Sequence, residues 1–305
     1  MKESASIEVI IPYYREYDYF IEALSSVLAQ DYPHFSVLII DDGTHDQRLC
    51  KHIDSLTDSR ITLIQNNENI GLARNFELAR NLSTADFVVF LGQDDILEPN
   101  YISTVLPWVI DRKSVAMVQP KVIVIDELGN KSRPLSDLVK LVLNKSACFL
   151  GRRVFLGGNT GALLSGRQAA FTLLLGDFLY FPTITWKSSF MDDFDVTLDV
   201  TLDYKMIIDV LAKGGELLIL PNQVACYRRH QRSASMRSDR MLERLSEEKA
   251  FHLDLRNHDF VKSSILLRAV NVIRLSQRLH SLQVAISSIL KCDWRSFSGA
   301  LRCVR

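Results

Sequence analysis

Val37-Leu38-Ile39-Ile40-Asp41-Asp42-Gly43 is an unbroken apolar run that stops on two acids and a glycine. A half-exposed strand would alternate apolar with polar residues, whereas a continuous β-branched and leucine run fits a strand buried on both faces of a parallel sheet. In such sheets ligands sit outside the carboxyl ends of the strands, where this run places its acids. The pattern recurs on either side. Residues 7–11 run into Pro12 and Tyr13, and Phe87-Val88-Val89-Phe90-Leu91 runs into Gly92-Gln93-Asp94-Asp95.

Working outward, residues 17–30 carry helical spacing at Phe20, Leu24, Val27 and Leu28. Further helices are expected over 46–56, 73–82 and 100–110, with a short strand over 61–65. The resulting βαβαβαβα order predicts an α/β fold with a doubly wound, mostly parallel sheet and helices on both faces. Beyond a strand at 115–119 the regularity weakens. Residues 123–134 read as a hairpin or loop, 191–201 as an acidic stretch without a period, and 204–212 as a helix. A strand over 216–220 is expected to end at Pro221. Residues 238–255 and 263–290 read as helical, which suggests a sheet domain over 1–236 and a helical C-terminal region over 237–305.

The 305 residues balance 36 basic against 36 acidic side chains, and 47% are apolar. A large core is available, and nothing in the charge suggests a nucleic-acid partner. The balance hides a basic tail. Between Phe260 and Arg305 stand Lys262, Arg268, Arg274, Arg278, Lys291, Arg295, Arg302 and Arg305 against Asp293 alone, a net +7. In that tail Val272, Leu275, Leu279, Leu282, Ile286 and Leu290 share one helical face, with Arg274 and Arg278 opposite. Such a helix suits an anionic membrane surface, and equally a helix packed on protein. The five cysteines are scattered without a Cys-x-x-Cys spacing, so neither a disulfide framework nor a zinc site is indicated. No apolar run reaches the roughly 18 residues of a membrane span.

The acids suggest chemistry. A strand-end carboxylate pair with a downstream histidine suits Mg2+ or Mn2+ beside a phosphorylated ligand. Asp203, at the start of a helical pattern, suits a general base. No Gly-x-x-x-x-Gly-Lys loop appears and no Gly-x-Gly-x-x-Gly follows the first strand, which argues against P-loop hydrolysis and dinucleotide oxidoreduction. Other readings stand beside these. Asp41-Asp42-Gly43 is also turn chemistry, Asp94-Asp95 can cap a helix, a lone His230 can be structural, and Trp186 can be buried or can stack on a sugar.

Taken in order, Val9-Ile10-Ile11-Pro12-Tyr13-Tyr14, Ile39-Ile40-Asp41-Asp42-Gly43-Thr44, Asn69-Ile70-Gly71-Leu72-Ala73-Arg74-Asn75, Phe90-Leu91-Gly92-Gln93-Asp94-Asp95, the Asp203 helix and Tyr227-Arg228-Arg229-His230 through Ser233 and Ser235 resemble a family 2 glycosyltransferase of the GT-A fold. The resemblance covers roughly residues 6–236 and is similar to bacterial enzymes of O-antigen and surface-polysaccharide synthesis. It implies that Pro12, Tyr13, Asp41 and Asp42 hold the nucleobase and ribose of a nucleoside-diphosphate sugar. Arg74 would approach the ribose or diphosphate, Asp94 the ribose or sugar, Asp95 and His230 would bind the metal, and Asp203 would be the catalytic base of an inverting transfer. Gly92 stands where the family's Asp-x-Asp begins, and Leu202 where a Glu often precedes the base. The implied acceptor is a polyprenyl-diphosphate-linked saccharide or an oligosaccharide, and the implied location is cytoplasmic, peripheral on the inner face of the plasma membrane through the basic C-terminal helices. A non-catalytic nucleotide-sugar-binding member, and a nucleotidyltransferase, remain as alternatives. The second would need a Gly-rich basic loop where Tyr13-Tyr14-Arg15-Glu16 stands.

Overall fold

The computed structural model describes residues 5–230, 241–274, 277–278, 281–282, 284–285 and 294–304. The first 90 residues form the expected alternation: β1 (Ile7–Tyr13), α1 (Tyr17–Leu28), β2 (Phe35–Asp41), α2 (Gln47–Leu56), β3 (Ile61–Gln65), α3 (Leu72–Leu82) and β4 (Phe87–Phe90). These four strands pair in parallel in the order β3-β2-β1-β4. Alternation along each strand feeds two cores. Val9, Ile11 and Ile39 pack on one side with α1, and Ile10, Leu38 and Ile40 on the other with α3.

The second half follows less directly from local pattern. After β5 (Ile96–Leu97) and α4 (Tyr101–Ile110) come β6 (Val115–Ile125), α5 (Leu135–Leu150), the hairpin β7 (Arg152–Leu156) and β8 (Asn159–Leu164), α6 (Gly166–Leu175), β9 (Thr185–Lys187), α7 (Leu202–Ala212) and β10 (Glu216–Arg228). They complete a ten-stranded mixed sheet in the order β3-β2-β1-β4-β9-β6-β10-β8-β7, with β5 on β10. The short β9 lies antiparallel between β4 and β6 and carries Trp186, wholly buried.

Two expectations are corrected here. Residues 123–125 extend β6 rather than opening a loop, and β10 runs through Pro221 to Arg228. The register of β6 on β10 shifts between Ile219 and Gln223, so Pro221 sits in an irregularity where the ladder requires no N–H.

Among the described residues the chain continues with α8 (Met241–Asp254), α9 (Asp259–Lys262), α10 (Ile265–Ile273) and α11 (Trp294–Val304), and residues 277–278, 281–282 and 284–285 are also helical. Phe251, Val261, Leu267 and Val270 join the same core as α3 and α7. The single long helix expected over 263–290 stops at Arg274, which adopts a left-handed φ of 46° and is buried, while Val272 is half exposed. Leu275, Leu279, Ile286 and Leu290 of the expected apolar face lie outside the described residues, as do Ser233 and Ser235. Among the described residues no helix is long and apolar enough to cross a membrane.

Candidate active site

The sheet order reverses at β1. The chain winds outward to β2 and β3, then returns to β4 on the other side of β1, which opens a crevice between the carboxyl ends of β1 and β4. Gln93 spans that crevice. Its Oε1 accepts from Tyr14 N–H at 2.7 Å and its Nε2 donates to Tyr14 O at 3.1 Å.

Beside the crevice lies a cavity of about 410 Å³ lined by Tyr14, Arg15, Thr44, Asp46, Arg48 and Asn69. Its floor is Gly43, with φ +71°, where an added Cβ would come within 2.2 Å of the Glu68 backbone. Only glycine lets the two loops approach so closely. Arg15 also holds a left-handed φ of 72° and lays its guanidinium over the Tyr14 ring at 4.8 Å. Asp46 caps α2 by accepting from Arg48 N–H, and it takes Arg48 Nη2–H at 2.7 Å. The Arg48 hydrogen bonds hold its carboxyl down at about 2.

None of the four expected donor-binding residues at the ends of β1 and β2 lines this cavity, though Tyr13 and Asp41 bond to residues that do. Pro12 is partly exposed, and buried Tyr13 donates its hydroxyl to Asp46 Oδ2 at 2.9 Å. Asp41 is buried and accepts from Thr44 N–H and Oγ1–H, His45 N–H and the Gln65 amide. Asp42 is buried and accepts from the Asn66 amide, Ile70 N–H and Gly71 N–H. The two acids thus fold the loop after β2 and clamp the entry to α3. Arg74 stands exposed on the first turn of α3.

At the end of β4 the two acids diverge. Asp95 is 1% exposed and accepts from Arg228 N–H at 2.8 Å. Burial, and then the charge of Asp94, push its carboxyl well above the usual range. The side chain of Asp94 is 21% exposed, and its Oδ2 lies 2.8 Å from His230 Nε2. Tyr19 packs on the His230 ring at 4.8 Å between centroids. Arg228 locks the assembly. Its Nε–H donates to Asp94 O at 2.8 Å, its guanidinium covers the Tyr19 ring, and it pairs with Glu22. Gly92 leaves room for these carboxylates, since a Cβ there would meet Asp95 Oδ2 at 2.5 Å and Asp94 Oδ1 at 3.0 Å and they would have to shift.

Asp203 lies on the first turn of α7, half-buried, and its carboxyl is pushed up to about 6 by burial and then by the charge of Asp177. Lys140 and Arg244 act in the opposite sense. The connection to the Asp94–His230 pair runs along α5. Asp137 accepts from Arg229 Nη2–H at 3.0 Å, with Nε in ion-pair contact at 2.7 Å, next to His230, and it takes the Tyr180 hydroxyl at 2.6 Å. One turn on, Lys140 packs over Tyr180 and pairs with Asp177 at 2.8 Å.

A carboxylate and an imidazole in hydrogen-bond contact form an oxygen–nitrogen pair of the kind Mg2+ or Mn2+ accepts. Among the described residues no group of three or more His, Cys, Asp or Glu side chains forms a complete cage. A cation at Asp94 and His230 would therefore draw its remaining ligands from water and a phosphorylated ligand, as Mg2+ commonly does.

Several of these residues escaped sequence reasoning. Arg48, Tyr19, Asp137 and Lys140 carry no motif, whereas Tyr14, Arg15, Thr44, Asn69 and Gln93 lay within stretches already singled out.

Residues 8–172 match the family model described as Glycosyl transferase family 2. Over 107 residues the chain is 32% identical to the putative colanic acid biosynthesis glycosyl transferase WcaA of Escherichia coli, covering 35% of this chain and 38% of that protein. Across the curated relatives it matches, the aligned region spans between 15% and 42% of their lengths. The fold is shared with S. aureus TarS 1-349 in complex with UDP-GlcNAc, at a TM-score of 0.62 and 16% identity, covering 98% of this chain and 82% of that one. It is shared too with the mannosyltransferase PcManGT of Pyrobaculum calidifontis in complex with GDP-Man and Mn2+, at a TM-score of 0.62 and 15% identity, covering 99% and 74%.

Proposed function

The chain belongs to glycosyl transferase family 2, and on that premise we propose that it transfers one sugar from a nucleoside-diphosphate sugar to an acceptor hydroxyl, with inversion, in the assembly of a bacterial surface polysaccharide. The observation that carries this reading is the crevice between β1 and β4, closed by the Tyr14–Gln93 bridge, with a 410 Å³ cavity beside it and the Asp94–His230 pair on the adjoining residue. A nucleoside fits the cavity. Tyr14 and Arg15 offer a stacking face, and Asn69 and Thr44 offer hydrogen bonds. Asp41 and Asp42 act beneath it by fixing the loops. Pro12 and Tyr13 support it from β1, Tyr13 through its hydrogen bond to Asp46, and Arg74 would reach from α3 toward the diphosphate.

Asp94 and His230 would hold the Mg2+ or Mn2+, with Asp95 as the buried anchor that fixes Asp94 through Arg228. The cation would offset charge on the departing diphosphate. Asp203 takes the proton from the acceptor hydroxyl. The acceptor oxygen bonds to the anomeric carbon as the bond from that carbon to the diphosphate oxygen breaks. The sugar-transfer residues lie within 1–236, and the helices of 237–305 buttress α7 and present basic surface to the membrane. The acceptor is a lipid-linked or oligosaccharide hydroxyl.

A thermal-shift panel of UDP-, GDP- and dTDP-sugars, with and without Mn2+, tests the donor assignment. One base should raise Tm by several degrees, because a ligand that binds only the folded state stabilises it, and Mn2+ should enlarge the shift. No shift with any nucleoside diphosphate, at concentrations up to the millimolar range, would remove the reading.

A further inference from the structure

α5 is amphipathic in an inverted sense. Its inner face carries the polar Asp137 and Lys140 together with Leu143 and Ala147, which pack on the core. Its outer face is apolar: Val139 is 58% exposed, Val142 63% and Phe149 90%. Phe155 on β7 is 68% exposed. Residues opposite one another in an antiparallel pair project from the same face of the sheet. Arg153 pairs with Ala162 and Phe155 with Thr160, and Ala162 shares a core with Ala147 of α5. Phe155 and Arg153 therefore project on the side of the sheet that α5 covers, at the terminal strand of the sheet.

Charge decides what covers this face. The charged side chains of this face are Lys145 and Arg153, Lys140 being turned inward to Asp177, and from Leu138 to Gly176 the chain has no acid. A second copy would bring the same positive charge against itself, and the chain's own tail between Phe260 and Arg305 is also basic, at +7. Apolar side chains interleaved with lysine and arginine are the composition of a surface that enters the headgroup layer of an anionic bilayer.

We propose that the outer face of α5, with Phe155 and Arg153 of β7, docks on an anionic lipid surface. This contact is separate from the basic C-terminal helices and does not depend on the donor assignment. It also orients the molecule, since the face of α5 turned away from the lipid carries the Asp137–Arg229 and Lys140–Asp177 pairs that flank His230 and Asp203.

The test is co-sedimentation of the full chain with phosphatidylcholine vesicles, with and without phosphatidylglycerol. Wild type should bind only the anionic vesicles. Val142→Glu with Phe149→Glu should lower partitioning by about tenfold or more, since both positions lose apolar contact and gain repulsion. Lys145→Glu with Arg153→Glu should lower it and flatten its dependence on salt. Arg268→Glu with Arg302→Glu, in the tail, should leave a substantial anionic-specific component. All six positions lie at least partly on the surface, so an unchanged far-UV spectrum and Tm should accompany each variant. Wild-type partitioning of V142E/F149E, equal binding to neutral vesicles, or complete loss from the tail variant alone would overturn the proposal. So would a vesicle-free dimer that V142E/F149E disperses, because the face would then be a contact between copies.

Discussion

Two strands of this sheet end on a pair of aspartates, and the two pairs have opposite fates. After β2, Asp41 and Asp42 are both buried, and each carboxylate is filled by N–H and hydroxyl donors from its own and neighbouring loops. After β4, Asp95 is buried in the same manner, but Asp94 keeps 21% of its side chain open and faces an imidazole. An acid whose oxygens are taken up by backbone N–H groups and by neighbouring amide and hydroxyl side chains has structural work. An acid that shares one oxygen with a histidine and keeps part of its side chain open has capacity left for a ligand.

The sharpest way to break this contrast is to remove the open acid. Asp94→Ala should lower sugar transfer by about a thousandfold or more, the scale seen when a main electrostatic contact of a departing group is lost. Tm should hardly change, because Asp94 satisfies few buried groups. His230→Ala should follow it, and the double variant should cost little more than either alone if the pair acts as one unit. Steady-state transfer rates checked against Tm separate the outcomes. Full activity in Asp94→Ala would return the metal to Asp95.

The buried pair should answer in the other currency, that of stability. Asp42→Ala strands Ile70 N–H and leaves Gly71 N–H with Asn69 Oδ1 alone, at a cost of about 2 kcal/mol in unfolding free energy. Chemical denaturation should show a lower midpoint with an unchanged slope. The turnover of molecules that remain folded should fall far less than in Asp94→Ala. A stable Asp42→Ala that has lost donor binding would instead make Asp42 a direct nucleoside contact and would erase the contrast.

How much of this could be read beforehand follows the same division. The parallel half was legible because each strand is a local run of β-branched residues and each acid pair directly follows one. What could not be read from adjacent residues is which member of a pair turns inward, since that depends on Arg228, more than 130 positions downstream, reaching back to both acids. β9 is three residues long and lies between β4 and β6 with no pattern of its own. Pro221 reads as a strand end, yet β10 pairs with β6 through an irregularity that tolerates it. Residues 138–150 are an apolar stretch interrupted by Lys140 and Lys145. Folded, they are a helix whose lysines divide between an inner and an outer face.

Asp203 belongs to neither pattern, and the smallest expected effect concerns it. It is half-buried without being filled, and its carboxyl is held up to about 6 by burial and then by Asp177. A base works only when ionised, so transfer should fall about tenfold for each pH unit below 6 and level off above it. The same shift has a stability consequence of known sign. A carboxyl whose folded value lies above its usual 3.8 binds its proton more tightly in the folded state, so its contribution to stability declines as pH rises from 3.8 to about 6. Asp203→Asn should therefore match or exceed wild type in Tm at pH 7 while losing transfer. Asp177→Asn removes the like charge and should move the acidic limb of the rate profile to lower pH with little change in the plateau. Since Lys140 would lose its 2.8 Å partner in that variant, it becomes freer to favour the ionised Asp203, which shifts the limb in the same direction. A limb that stays at about pH 6 in Asp177→Asn would assign the titration to a group other than Asp203 and leave the base to be sought among the remaining acids that precede α7.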